Sequence, residues 1–198
     1  GKFAYSNHAT DPAGGILCNA FDLVRIHFFG ERDYDAKDGT PTVKLPSYKA
    51  MQELATNDKQ VRLLMFEEKT KECNDDFKDL VNIDNAENKD WVLELAIDGR
   101  GEYLPTINNV KLIMENDKNL KSKLAYNLFT RRYTALGSLK WNDSEEEREW
   151  VDTDDAGLRH YIENTYGIKN KSAIEDARVL VSQENSYHPV KDYLGTLE

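Results

Sequence analysis

Arg131 and Arg132 stand side by side, with Lys118, Lys121 and Lys123 shortly before them and Lys140 shortly after. With Arg100 and Lys111 they make eight basic residues between Gly99 and Trp141, against the acids Glu102, Glu115 and Asp117, a net of +5 in a chain of net −10. A positive island on an acidic protein concentrates a local field that draws a phosphate-bearing or acidic partner. Tyr126, Phe129, Tyr133 and Trp141 interleave with these cations. Aromatic rings stack on unpaired bases, although for Phe129 and Trp141 a core position is the expectation. Lys118, Lys121 and Lys123 also follow a helix end, where the macrodipole favours cations. Neighbouring strand residues face opposite ways, so only one of Arg131 and Arg132 can share a surface with a given lysine. Arg159 and His160, on a later helix, can touch phosphate too. The candidate nucleic-acid-binding set is Lys111, Lys118, Lys121, Lys123, Arg131, Arg132, Lys140, Tyr126, Tyr133, Arg159 and His160.

Other chemistry finds less support. Asp33-Tyr34-Asp35 has the spacing of a two-metal carboxylate pair, but it lies in a Gly/Lys/Asp stretch that reads as a solvated loop. Asp75-Asp76 and Asp152-x-Asp154 read as acids serving helix starts. Ser6 and His8 project to one face of a strand without an oxyanion-hole signature, and are expected to hydrogen-bond the turn at Asp11. His188 is expected to pack or cap at a helix end. Cys18 and Cys73 are far apart, with no Cys-x-x-Cys companion, which suits a reducing compartment. No catalytic residue, metal or cofactor is assigned; an enzyme with a metal at the acid pairs is the least favoured reading.

The elements that would position these residues follow from periodicity. At 198 residues the chain can hold one large domain or two small ones. No apolar run approaches the roughly 20 residues that cross a bilayer, and no basic-then-apolar leader is visible, so the expectation is cytoplasmic, with no membrane partner. Residues 3–10 read as a short strand and Asp11–Gly15 as a turn. Leu17–Phe29 has a helical stripe, with Asn19 or Cys18 near its start and Gly30 as its stop. Arg32–Lys44 reads as a surface loop. Helices follow from Pro46 or Ser47 and over Lys59–Lys71. Residues 91–97 are helix or strand. Thr106 should cap a helix, Ala125–Trp141 should form a hairpin, and Asn142–Asp155, with eight acids and one Arg, should be a solvated linker. Thr153 should cap the next helix. Ser172-Ala173-Ile174-Glu175 should be the capping box of another, ended by Pro189. The expected class is α+β, mainly helical: a short N-terminal strand-turn-helix unit, a central helix plus β-hairpin, and a C-terminal helical pair.

Three segments resemble the virulence-associated E family of phage and mobile-element replication proteins. The first is Phe3–Pro12 with Leu17–His27. The second is Pro105–Val110 with Glu115-Asn116-Asp117 and Ala125-Tyr126-Asn127. The third is His160–Glu163, Tyr166-Gly167-Ile168 and Glu184–Leu194. One departure is Asn7, where a second histidine would be expected before His8. The resemblance implies a connector between a primase-polymerase-like part and a superfamily-3-like or AAA+ helicase part of one polypeptide. The chain itself holds no Gly-x-x-x-x-Gly-Lys-Ser/Thr phosphate loop. The N-terminal part also looks like a primase zinc ribbon, which needs four paired Cys/His ligands; only His8, Cys18 and His27 are at hand. The domains implied are 1–74, ribbon-like without metal ligands; 75–141, an acidic segment and the basic helix–hairpin unit; and 142–198, an acidic linker and helical pair leading to an ATPase outside this chain. The resulting expectation is a non-catalytic DNA-contacting connector of a primase-helicase. The alternative is a protein-interaction or oligomerisation adaptor whose acidic segments engage a basic partner.

Overall fold

Asn19 begins the first helix as its position suggests: its Oδ1 accepts the Asp22 N–H at 2.8 Å, satisfying a donor the helix start would otherwise orphan. In the computed structural model, which describes residues 2–76 and 90–191 with side chains as far as residue 68 in the first span, the fold is α+β and mainly helical. The chain divides into two compact units, residues 1–64 with 99–101, and residues 65–98 with 102–198. The Asp75-Asp76 side chains, the Cys73 thiol, residues 77–89 of the acidic segment and residues 192–194 lie outside the described residues.

In the first unit Ala4–Tyr5 (β1) pairs antiparallel with Leu17–Cys18 (β2). Residues 17 and 18 are therefore strand, and the helix Ala20–Phe29 (α1) starts later than its apolar stripe suggests. Ser6 Oγ accepts the His8 N–H, and Gly15 N–H bonds Ser6 O at 2.9 Å, so Ser6 and His8 serve the turn. Gly14 is required there, because a Cβ would stand 2.5 Å from His8 O.

Asp33 corrects the solvated-loop reading. It ends a short 3-10 turn (Gly30–Asp33), and its carboxylate accepts the Ser47 N–H at 2.8 Å and the Ser47 hydroxyl at 2.5 Å. Ser47 lies in the first turn of Pro46–Asn57 (α2), and the buried Arg25 of α1 donates to its Oγ at 2.7 Å. A guanidinium taken out of water needs a carboxylate nearby, and the polar loop supplies one. His27 is engaged on both ring nitrogens, by Leu23 O at 2.8 Å and Asp11 Oδ1 at 3.1 Å. Cys18 is buried and free. Among the described residues no three His, Cys, Asp or Glu are grouped to hold a metal, so the donors of this unit do not fit a zinc ribbon. Lys59–Asp76 (α3) spans the division between the units.

In the second unit residues 91–97 resolve into a 3-10 turn, Asp90–Glu94, and a bridge from Ile97 to Tyr103. Thr106 caps Ile107–Asn116 (α4), its Oγ1 accepting the Asn109 N–H. Leu124–Asn127 (β3) and Arg132–Ala135 (β4) form the expected hairpin, with Tyr126 opposite Tyr133. Arg148–Glu149 (β5) adds antiparallel to β4, and Ser186–Tyr187 (β6) adds parallel to β3, giving the order β5-β4-β3-β6. Between β5 and β6 run Asp152–Tyr166 (α5) and Lys171–Glu184 (α6). Helix α6 packs on α4 and β3, burying Val110, Ile113, Met114, Ile174, Ala177 and Val181.

Three local expectations change. Asn170, not Ser172, caps α6, its Oδ1 accepting the Ala173 N–H. Helix α5 starts at Asp152 with Asp154 reaching back to the Val151 N–H at 3.0 Å, so Thr153 is not the cap. Helix α6 ends at Glu184, before Pro189, because the next residues leave it to pair with β3. The 142–155 segment is no solvated linker: it supplies β5 and the buried Trp150 and Asp154. Among the described residues, no helix is long and apolar enough to cross a membrane.

Trp141 lies flat against α5 over Gly157, where an added Cβ would collide with the indole ring carbons. On an open helix Gly→Ala gains about 1 kcal/mol. Gly157→Ala should instead lower stability by about 2 kcal/mol, read as a drop in thermal midpoint.

Candidate nucleic-acid interface

The hairpin β3–β4 divides the basic island between its two ends. Lys118, Lys121 and Lys123 lie in the segment entering β3, and Lys140 follows β4 at the same end, where Leu136 N–H bonds Lys123 O at 2.9 Å. Arg131 and Arg132 lie at the turn, about 10 Å away along a four-residue strand. The single continuous patch suggested by the sequence is thus two groups.

Half of the cations are held by the fold. Lys111 Nζ lies 2.6 Å from Glu184 and 3.6 Å from Glu115, joining α4 to α6; the bond to Glu184, ahead of the charges, raises its pKa. Lys123 donates to Ser138 O, Arg132 pairs with Glu149 across β4 and β5, and Arg159 meets Glu175 at 3.1 Å. His160 Nε2 is 2.9 Å from Asn164 Nδ2. Lys118, Lys121, Arg131 and Lys140 have no carboxylate partner among the described residues. Arg131 also has φ +56°, a left-handed conformation that a non-glycine side chain adopts at some cost.

The two candidate tyrosines pack against each other and against a neighbouring arginine. Tyr126 and Tyr133 meet edge to face at 5.1 Å, and the Arg178 guanidinium covers Tyr133 at 4.8 Å while its Nε lies 3.1 Å from Asp155. Phe129, expected in the core, is 64% exposed at the hairpin turn, its ring 5.9 Å from that of His188. Its burial was predicted from residue type alone; the signal that places it outside is the run Asn127–Arg131, a turn whose Asn127 Oδ1 accepts the N–H groups of Phe129 and Thr130 at 3.0 and 3.1 Å. His188 does not cap the end of α6: it follows β6, and its Nδ1 accepts the Lys191 N–H at the start of the next turn.

Two buried carboxylates set this frame. Asp117 Oδ2 accepts the hydroxyls of Tyr161 at 2.8 Å and Tyr166 at 2.5 Å, and its Oδ1 accepts the Asn119 N–H at 2.7 Å. Burial first, then the Asp117 charge, pushes both phenols well above their usual pKa, so they remain neutral donors. Asp154 takes Arg148 at 2.6 and 2.7 Å, the Trp141 indole N–H at 3.0 Å and the Val151 N–H. Its burial acts to raise its pKa, but Arg148, Val151 and Trp141 together outweigh that and hold it below the ordinary value. The chain matches no known protein-family model and no curated protein.

A carboxyl whose folded-state pKa is depressed stabilises fully above its unfolded value, about pH 3.9, and loses that contribution as pH falls through the folded value. Asp154→Asn should therefore cost about 3 kcal/mol at pH 7, leaving Arg148 uncompensated. In denaturant titrations the gap from the unaltered protein should narrow below pH 4.

Proposed function

We propose that this chain is a non-catalytic connector and DNA-contacting module of a phage-type replication protein, between primase-polymerase and helicase parts. The observation that carries the reading is that, among the described residues, Lys118, Lys121, Arg131 and Lys140 have no carboxylate partner, in a protein that is acidic overall. Unpaired cations gathered around one hairpin are a feature that a polyanion would use. The left-handed Arg131 adds support, since glycine or asparagine would occupy its position at less cost. The resemblance of the His160–Ile168 and Glu184–Leu194 segments to the virulence-associated E family supports the replication context.

The adaptor reading has its own observation: Tyr5 and Leu17, paired across β1 and β2, are both exposed in the first unit. That apolar surface suits a protein partner rather than DNA.

Fluorescence anisotropy with a labelled oligonucleotide separates the two. Four phosphate contacts to a single strand give a log–log salt slope of about −3. Lys121→Glu with Arg131→Glu should weaken binding by at least about tenfold and flatten the slope, with an unchanged far-UV spectrum. A protein that ignores oligonucleotides at low salt leaves only the adaptor.

A further inference from the structure

We propose that the tip of the β3–β4 hairpin is a base-stacking element for single-stranded DNA, with Phe129 as its platform; this rests on the DNA-contacting reading above. Phe129 is 64% exposed, beside Leu128 at 47%. The turn that presents it is held in place: Asn127 Oδ1 takes the N–H groups of Phe129 and Thr130, Leu128 N–H bonds Tyr187 O at 2.9 Å, and the buried Asn127 amide reaches Tyr187 and Glu147, each at 3.1 Å. A fixed aromatic ring in water loses little further freedom when a flat partner covers it.

The surroundings select the partner. Arg131 and Arg132 follow Phe129 in the same turn, and Lys191 lies one helical turn past His188, which packs on the Phe129 ring. Among the described residues, two acids near this end are engaged, Glu149 by Arg132 and Glu147 by Asn127 and Tyr187. The Arg132–Glu149 pair is exposed, so it can yield to a phosphate at little loss. Cations around an exposed ring match a polyanion that also offers flat apolar faces. A duplex keeps its base faces inside the stack, whereas a single strand offers them.

The test measures affinity for a labelled oligothymidine of about twelve nucleotides and for a duplex of equal length. Phe129→Ala should weaken single-strand binding about tenfold, the range of one lost base stack, and leave duplex binding unchanged. Phe129→Trp should retain it. An oligomer with abasic positions should bind the unaltered protein as weakly as oligothymidine binds Phe129→Ala. Because the ring is exposed, the thermal midpoint should stay constant and exclude misfolding. Equal single-strand affinity for Phe129→Ala and the unaltered protein overturns the stacking proposal while leaving the DNA-contacting reading in place. Absence of binding to both oligonucleotides overturns both. Loss of self-association in Phe129→Ala with unaltered DNA affinity makes the tip a protein contact and also overturns the proposal.

Discussion

The buried carboxylate of Asp154 is the constraint on which the second unit depends. It sits at the start of α5 and takes four donors from three places: two from Arg148 on β5, one from the Trp141 indole and one from the Val151 backbone. Each donor alone would be a modest hydrogen bond. Together they compensate a charge that burial would otherwise expel, and they fix the edge strand, the segment after the hairpin and the helix start at once. The other end of α5 is moored by the reverse arrangement. There Tyr161 and Tyr166 carry the donors, and Asp117, from the segment after α4, is the buried acceptor. Helix α5 is thereby tied at its start to the segment just before it and, further along, to a residue more than 40 positions earlier.

This arrangement also sorts the charges. The acids that matter to folding are inside or engaged, and so are Arg25, Arg148 and Arg178, which lie against Asp33, Asp154 and Asp155. Around the hairpin the same sorting leaves Lys118, Lys121 and Arg131 exposed and Lys140 half-buried, none with a carboxylate partner among the described residues. A net charge summed over the chain hides this, because it weighs a buried, paired aspartate and an exposed glutamate alike.

Local signals in the sequence were readable where a single turn of chain contains both partners. Asn19 and Thr106 reach a donor three residues on, and the strand formers of Ala125–Trp141 mark the hairpin. What could not be read depends on distant partners. Asp33 belongs inside because Ser47 and Arg25 wait for it, Asp117 because of tyrosines more than 40 residues away, and Asp154 because Arg148 and Trp141 converge on it. Asp33 reads from the sequence as a solvated acid, and Asp154 reads as an acid serving a helix start, which it does without its burial being foreseen. The two-residue strand β6 has too short a pattern to announce itself, and its partner is β3, some 60 residues earlier. For the candidate interface, the sequence located the cations but not their division between two ends of a hairpin, and it assigned Phe129 to the interior on residue type alone.

The placement of β6 has a consequence for biogenesis. During synthesis the hairpin leaves the ribosome well before Ser186 and Tyr187, so one edge of β3 stays open while α5 and α6 are being made. An open edge is a template for pairing with other nascent chains. Completion of the sheet therefore waits on a pair of residues made after α5 and α6.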